Sequence, residues 1–309
     1  MIEAKNLTKK FGSFTALDNL SCNIPEGCVY GMVGSNGAGK STFLRLLAGV
    51  YKPDGGSVTL DGEATYENSG VKARMAYVPD DLYFPGGANI RRMVDIYRRT
   101  RKGFDTERMK ELTALLSLPE RQNISTFSKG MKRQTATILA LSCKPDVLFF
   151  DETFDGLDPV MRNTVKKLIC SDAAERKCTT IITSHSLREL EDTCDQLALL
   201  HKGGLVLESD VANLKTSLFK VQIGFTRDFT KEEIENLGIE VRSFVRKGSV
   251  ATLIAKGDRE EAASKLNSLD PAILDILPLS LEEVFVHEMD ALGYSFDELL
   301  EKESEKNEK

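Results

Sequence analysis

Val33-Gly34-Ser35-Asn36-Gly37-Ala38-Gly39-Lys40-Ser41-Thr42 fits the pattern G-x-x-x-x-G-K-[ST], with Gly34, Gly39, Lys40 and Ser41 at the fixed places. The glycines let successive backbone N–H groups turn inward as a nest, and a following helix adds the positive end of its dipole. Lys40 supplies a cation for β- and γ-phosphates, and Ser41 offers a hydroxyl to Mg²⁺. Ser35, Asn36, Gly37, Ala38 and Thr42 complete the expected nucleotide cradle. Cys28-Val29-Tyr30-Gly31-Met32-Val33 reads as a buried strand before the loop, and Phe43-Leu44-Arg45-Leu46-Leu47-Ala48 as a helix after it. Strand, loop and helix in that order argue for an α/β phosphate-loop protein over a chance glycine-rich turn.

The chain has 309 residues, enough for one large domain and a small one. Its net charge of -6 disfavours bulk binding to nucleic acid, so no nucleic-acid partner is expected. No apolar run approaches the ~20 residues that a bilayer span requires. Met1-Ile2-Glu3-Ala4-Lys5 leads into no signal-peptide core, so a cytoplasmic location is expected. The six cysteines (Cys22, Cys28, Cys143, Cys170, Cys178, Cys194) form no C-x-x-C pair and read as reduced, packed thiols.

Upstream of the loop, two strand-like stretches flank Lys10-Phe11-Gly12, which reads as a turn. Phe11 is either a packing aromatic or a platform for an adenine ring. From Asn89 to about Leu118 the period becomes helical, with Ile90, Met93, Val94 and Tyr97 on one face. The other face carries Arg91, Arg92, Arg98, Arg99, Arg101 and Lys102, either solvated or attractive to anionic headgroups or an acidic partner loop. Phe127 to Gln134 opens another helix. Val147-Leu148-Phe149-Phe150-Asp151-Glu152 is an apolar run ending in two carboxylates, as a strand buried on both faces would be. Thr179 to Ser184, tipped by His185, reads the same way, and Leu187, Leu190, Cys194 and Leu197 are the expected stripe of the next helix. After about residue 215 the order β-α-β-β-α-β predicts a small α+β domain. Ser280-Leu281-Glu282-Glu283 is a capping-box start for a last helix, and the charged tail should be disordered.

Four further stretches line up with the phosphate loop, and together the five resemble the ATP-binding cassette (ABC) family of ATPases. Phe127-Ser128-Lys129-Gly130-Met131 is similar to that family's signature loop, usually L-S-G-G-Q. Val147 to Glu152 resembles its second phosphate-site strand, Gly156-Leu157-Asp158-Pro159 its dimer-interface loop, and His185 its switch histidine. The resemblance implies a phosphate-loop NTPase cassette over 1–215, with a mixed sheet and a helical subdomain at about 86–145. An accessory α+β domain over 216–295 and a tail over 296–309 would follow. It implies Mg²⁺ held by Ser41, Asp80 and Asp151. Glu152 would either take a proton from the attacking water or mainly orient it, and His185 would hold that water and the γ-phosphate. Phe11 would meet the adenine. Ser128, Lys129 and Gly130 would contact ATP held by a second cassette, in a homo- or heterodimer.

Three positions depart from the pattern. Asp80 stands where the family has a Gln that ligates Mg²⁺ and senses the membrane partner. Lys129 replaces a signature glycine, and Thr153 a proline. Loops of the Ser-Lys-Gly type resemble those of bacterial drug- and peptide-exporting systems. The expected protein is thus the ATP-hydrolysing subunit of an ABC-type exporter, peripheral at the inner face of the membrane beside a separate transmembrane permease. Two roles stay open for the accessory domain, regulating the dimer or assisting it. The competing reading is a soluble ABC ATPase acting on ribosome or DNA, disfavoured by one cassette, no heptad arm and the acidic balance. A phosphate-loop kinase leaves the signature loop unexplained.

Overall fold

The computed structural model describes residues 1–154 and 156–291, apart from the side chains of 215–217 and 288–291. The expected tail over 296–309 lies outside the described residues. The chain divides into two units, Met1–Glu208 and Ser209–Lys309.

In the first unit, β1 (Ile2–Phe11) and β2 (Phe14–Ile24) form an antiparallel hairpin around Gly12. Phe11 therefore ends a strand instead of sitting in the turn. β3 (Val29–Val33) is buried at every position and runs into the phosphate loop, and α1 (Lys40–Leu47) follows. Next come β4 (Gly55–Leu60), β5 (Glu63–Ala64), α2 (Ser69–Ala73) and β6 (Met75–Val78). Three helices follow: α3 (Ile90–Thr100), α4 (Thr106–Leu115) and α5 (Lys129–Ser142). The remaining elements are β7 (Val147–Asp151), α6 (Pro159–Arg176), β8 (Thr179–Ser184), α7 (Leu187–Leu190), β9 (Gln196–His201) and β10 (Gly204–Asp210).

Two sheets result. One is antiparallel, in the order β2-β1-β4-β5. The other runs β10-β9-β3-β8-β7-β6, with β3, β6, β7, β8 and β9 in parallel register. The solid apolar runs read from β7 and β8 fit this burial: each of their positions is covered. Phe43, Leu44 and Leu47 of α1 join one core cluster with Ile2 and Leu7 of β1, Tyr30 of β3 and Phe149 of β7. Each such side chain contributes about 1.5–3 kcal/mol on burial. This packing fixes α1, and with it the loop, at the carboxyl ends of β3, β7 and β8, where open parallel sheets place ligands.

The helical stretch from Asn89 is two helices, broken at Gly103 and restarted by Asp105, whose Oδ1 accepts from Arg108 N (2.9 Å). Arg101 also leaves the expected solvated face, donating to the carbonyls of Lys72 and Met75. The helix expected through Leu197 is only the short α7, after which the chain re-enters the sheet as β9.

In the second unit α8 (Val211–Ser217) precedes β11 (Leu218–Gly224), α9 (Lys231–Glu235), β12 (Glu240–Lys247), β13 (Val250–Lys256), α10 (Arg259–Asn267), β14 (Ile273–Pro278) and α11 (Leu281–Ala291). The sheet order is β12-β13-β11-β14, all antiparallel. Ile234 of α9 and Ala262 and Leu266 of α10 pack with Phe219, Val221 and Leu253 in this unit's own core. Ser280 and Glu283 close the capping box: Ser280 N donates to Glu283 Oε2 (3.0 Å) and Glu283 N to Ser280 Oγ (3.3 Å).

Candidate functional site

The phosphate loop needs its glycines for two different reasons. A Cβ on Gly34 would lie 2.4 Å from the backbone oxygen of Leu200, so nothing larger fits. Gly39 has φ +105°, a conformation that side chains rarely adopt, and serves as the N-cap of α1 without any side-chain cap bond. The first-turn amides of α1 are therefore left to an anion at the loop. Asn36 and Gly37 are exposed at the loop tip, whereas Lys40 is buried.

Lys40 Nζ donates to the carbonyls of Gly34 (2.6 Å) and Ser35 (3.3 Å) and lies 3.2 Å from Glu152 Oε1. The other oxygen of Glu152, Oε2, is 3.1 Å from Nδ1 of His185, a half-exposed residue. Lysine, carboxylate and histidine thus form one chain. The phosphate loop, the end of β7 and the end of β8 meet here because β3, β8 and β7 are neighbours in the sheet. Glu152 has φ +48°, a strained left-handed turn just past the strand, and Thr183 Oγ1 accepts from its amide (3.1 Å).

Asp151 is fully buried. Its Oδ1 accepts from Ser41 Oγ (2.9 Å) and Thr183 Oγ1 (2.9 Å), and its Oδ2 from Tyr77 OH (3.0 Å). Burial, followed by the charge of Asp151, pushes the Tyr77 phenol well above its ordinary pKa, so it remains a donor. Among the described residues Asp151 makes no ion pair: its hydrogen-bond partners are three hydroxyls. A buried carboxylate beside a serine hydroxyl, both hard oxygen donors, suits Mg²⁺, which takes one or two protein ligands and completes its shell with phosphate and water.

Asp80 follows β6, the strand beside β7, and its carboxylate pairs with an arginine. Its Oδ1 accepts from an Arg133 Nη (2.8 Å), and the other Nη of Arg133 donates to the carbonyls of Pro79 and Asp80, both at 3.1 Å. The carboxylate expected on the metal is, in this structure, the half-exposed counter-charge of an arginine that is 1% exposed.

The signature stretch is the start of α5. Ser128 is the N-cap, and its Oγ accepts from Met131 N (3.2 Å). Lys129 is exposed and lays its stem along Gly156, so that a Cβ there would meet Lys129 Cδ at 3.1 Å. Ser128, Lys129, Gly130, Gly156, Leu157 and Asp158 line a shared surface pocket. Asp158 also caps α6, its Oδ1 accepting from the amides of Val160 and Met161. Phe11 is half-exposed, its ring edge-to-face with Tyr51 at 5.6 Å and under Lys9 Nζ at 5.5 Å.

Sequence reasoning missed Tyr77, Thr183 and Arg133. Parallel register was the available signal for Thr183: it lies directly opposite Asp151. Tyr77 sits opposite Phe149, two residues before that acid.

The ABC transporter family model matches residues 17–155. The ABC transporter ATP-binding protein YtrB of Bacillus subtilis (strain 168) is 32% identical over 93% of this chain and 97% of its own length. The bacitracin transport ATP-binding protein BcrA of Bacillus licheniformis is 32% identical over 70% of this chain and 71% of its own. Among solved structures, an ATP-binding cassette in a dimeric post-hydrolysis state with ADP and phosphate superposes with a TM-score of 0.62. It is 21% identical and covers 68% of this chain and 99% of that one, a likeness of fold. The chain belongs to the ABC transporter ATP-binding protein family and carries that family's ATPase cassette.

Proposed function

We propose that the protein hydrolyses Mg-ATP at the interface of a head-to-tail dimer and so drives export through a separate transmembrane permease, at the cytoplasmic face of the membrane. The observation that carries this is the chain Lys40–Glu152–His185 at the mouth of the phosphate loop, beside the Ser41–Asp151 pair. In this reading Gly34 to Thr42 cradle the phosphates and Ser41 and Asp151 hold the metal. Mg²⁺, when bound, neutralises phosphate charge. Lys40 has three partners: two loop carbonyls and Glu152. Phosphate oxygens displace the carboxylate most readily, because two anions compete for one ammonium. Glu152 then keeps His185 as its neighbour, and the two orient water at the γ-phosphate, Glu152 accepting its proton. Phe11 offers its exposed ring face to adenine.

The partner cassette supplies its own Ser128, Lys129 and Gly130 to the opposite face of the nucleotide. Export is supported by the Ser-Lys-Gly signature loop and by a relative named for bacitracin transport. The test is Glu152→Gln in the full chain. With saturating Mg-ATP, light scattering should show a long-lived dimer while phosphate release stops. A variant that stays monomeric while the unaltered chain still hydrolyses ATP refutes the dimeric site.

A further inference from the structure

Asp80 and Arg133 form a connection that the cassette reading leaves unexplained. Arg133 lies about one turn into α5, the helix whose first residues are the signature loop. It is 1% exposed, and a buried guanidinium requires both hydrogen-bond acceptors and a counter-charge. Both come from the loop just after β6. The acceptors are the carbonyls of Pro79 and Asp80 on one Nη, and the counter-charge is Asp80 Oδ1 on the other. Among the described residues, Asp80 is the ion-pair partner of Arg133.

We propose that Asp80 is a positioning residue and not a magnesium ligand: through the Arg133 fork it fastens the loop after β6 to the signature helix, so that the two move as one piece. This rests on the reading of the chain as an ATP-hydrolysing cassette and assigns a different task to one of its residues. A glutamine at 80 would leave Arg133 without its charge partner. A carboxylate there is one methylene shorter than glutamine, and its Oδ1 is already held by the guanidinium. A further anion at the metal would also add to the repulsion among Asp151, Glu152 and the phosphates. The planar fork of arginine reads two carbonyls and a carboxylate together, which a lysine cannot do. The signature loop contacts nucleotide across the proposed dimer. Fixing α5 to the loop at 79–80 therefore ties closure of that dimer to the segment downstream of β6.

Two measurements on the full chain test this. The first is the Mg²⁺ concentration that half-saturates fluorescent-ATP binding, with Asp151→Asn as the control that loses a metal ligand. Asp80→Ala should move it less than about twofold, whereas Asp151→Asn should raise it about tenfold or more. The second is a double-mutant cycle on kcat at saturating Mg-ATP. Asp80→Ala and Arg133→Gln should each lower kcat about tenfold, and the double variant should be no worse than the weaker single one. Hydrogen exchange should rise together at residues 81–84 and at the start of α5 in either single variant. If Arg133→Gln does not fold, Arg133→Lys takes its place in the cycle, because it keeps the charge and loses the fork. A Mg²⁺ requirement raised about tenfold by Asp80→Ala, or effects of the two substitutions that multiply, overturns the proposal. Failure of the unaltered protein to bind or split ATP refutes the cassette reading itself, which is a separate outcome.

Discussion

Replacing Thr183 by valine tests how the acid pair at the end of β7 is held. Thr183 is fully buried, and valine matches its shape, so no cavity opens. Two interactions disappear. The hydroxyl donates to Asp151 Oδ1 at 2.9 Å and accepts from Glu152 N at 3.1 Å. Loss of a hydrogen bond to a charged group costs about 1.5–3 kcal/mol, and an orphaned amide about 1–3 kcal/mol. Glu152 is also in the left-handed region, at φ +48°, which costs about 1–2 kcal/mol that its neighbours must offset. The two losses share one hydroxyl, and Glu152 can relax, so about 3 kcal/mol is expected rather than the full sum. For a unit of this size each kcal/mol lowers Tm by about 2–4 °C, giving roughly 6–12 °C by calorimetry. The chain has no tryptophan, so far-UV circular dichroism is the convenient second probe. Thr183→Ser keeps both bonds and loses one methyl, about 1 kcal/mol. Hydrolysis by the valine variant should fall about tenfold or more at saturating Mg-ATP, since the freed backbone carries the Glu152 carboxylate. A valine variant within about 2 °C of the parent, or a serine variant as damaged as valine, refutes the reasoning.

Gly34→Ala drives a Cβ to 2.4 Å from the Leu200 carbonyl, a backbone atom that cannot swing aside; fluorescent-nucleotide titration should show affinity reduced about 100-fold or more. Asp172 is 1% exposed and lies between Arg108 of α4 and Arg176 of α6. Asp172→Ala strands both guanidinium groups and should cost about 3–5 kcal/mol in denaturant unfolding. Burial pushes the thiols of Cys143 and Cys178 up to about 11 and that of Cys22 up to about 12. Their folded pKa values exceed the unfolded ones, so their contribution is fully present below pH 9. It is lost as pH rises through the range from about 9 to 12, because the unfolded chain then releases protons that the folded chain retains. Stability should fall across that window, and replacing Cys178 by serine should flatten the slope.

The sequence showed burial more reliably than element type. Leu187, Leu190, Cys194 and Leu197 all sit in the interior as their spacing predicts, yet only the first two are helical. Asp195 explains the change: its amide donates to the Val29 carbonyl and its Oδ2 accepts from Val29 N, so the chain is pulled back to the sheet edge of β3 after one turn. Helical spacing cannot detect such a capture by a neighbouring strand. The opposite failure is α6, which the sequence reading passed over. Its buried stripe is narrow (Val165, Ile169 and Ala173, with Asp172 beside them), so its periodicity is weak. The legible signal was at its start, where Asp158 caps the helix and Pro159 fills the first turn.

At the site, the residues expected to touch phosphate carried their own spacing, and the residues that hold them did not. Tyr77 and Thr183 are ordinary strand residues by propensity, and only the register of β6, β7 and β8 reveals that they flank Asp151. The contrast between the two acids rests on the same supporting groups. Around Asp151 stand hydroxyls, which are neutral and can rotate, so its charge remains available to a cation. Beside Asp80 stands a buried guanidinium, fixed in a planar fork and permanently charged, which already holds Oδ1 of the half-exposed carboxylate. The two acids follow the same end of neighbouring parallel strands, β6 and β7, and differ in what surrounds them: three hydroxyls for Asp151 and one guanidinium for Asp80. The family resemblance implied both as metal ligands; positions in a motif record the acid and omit its neighbours.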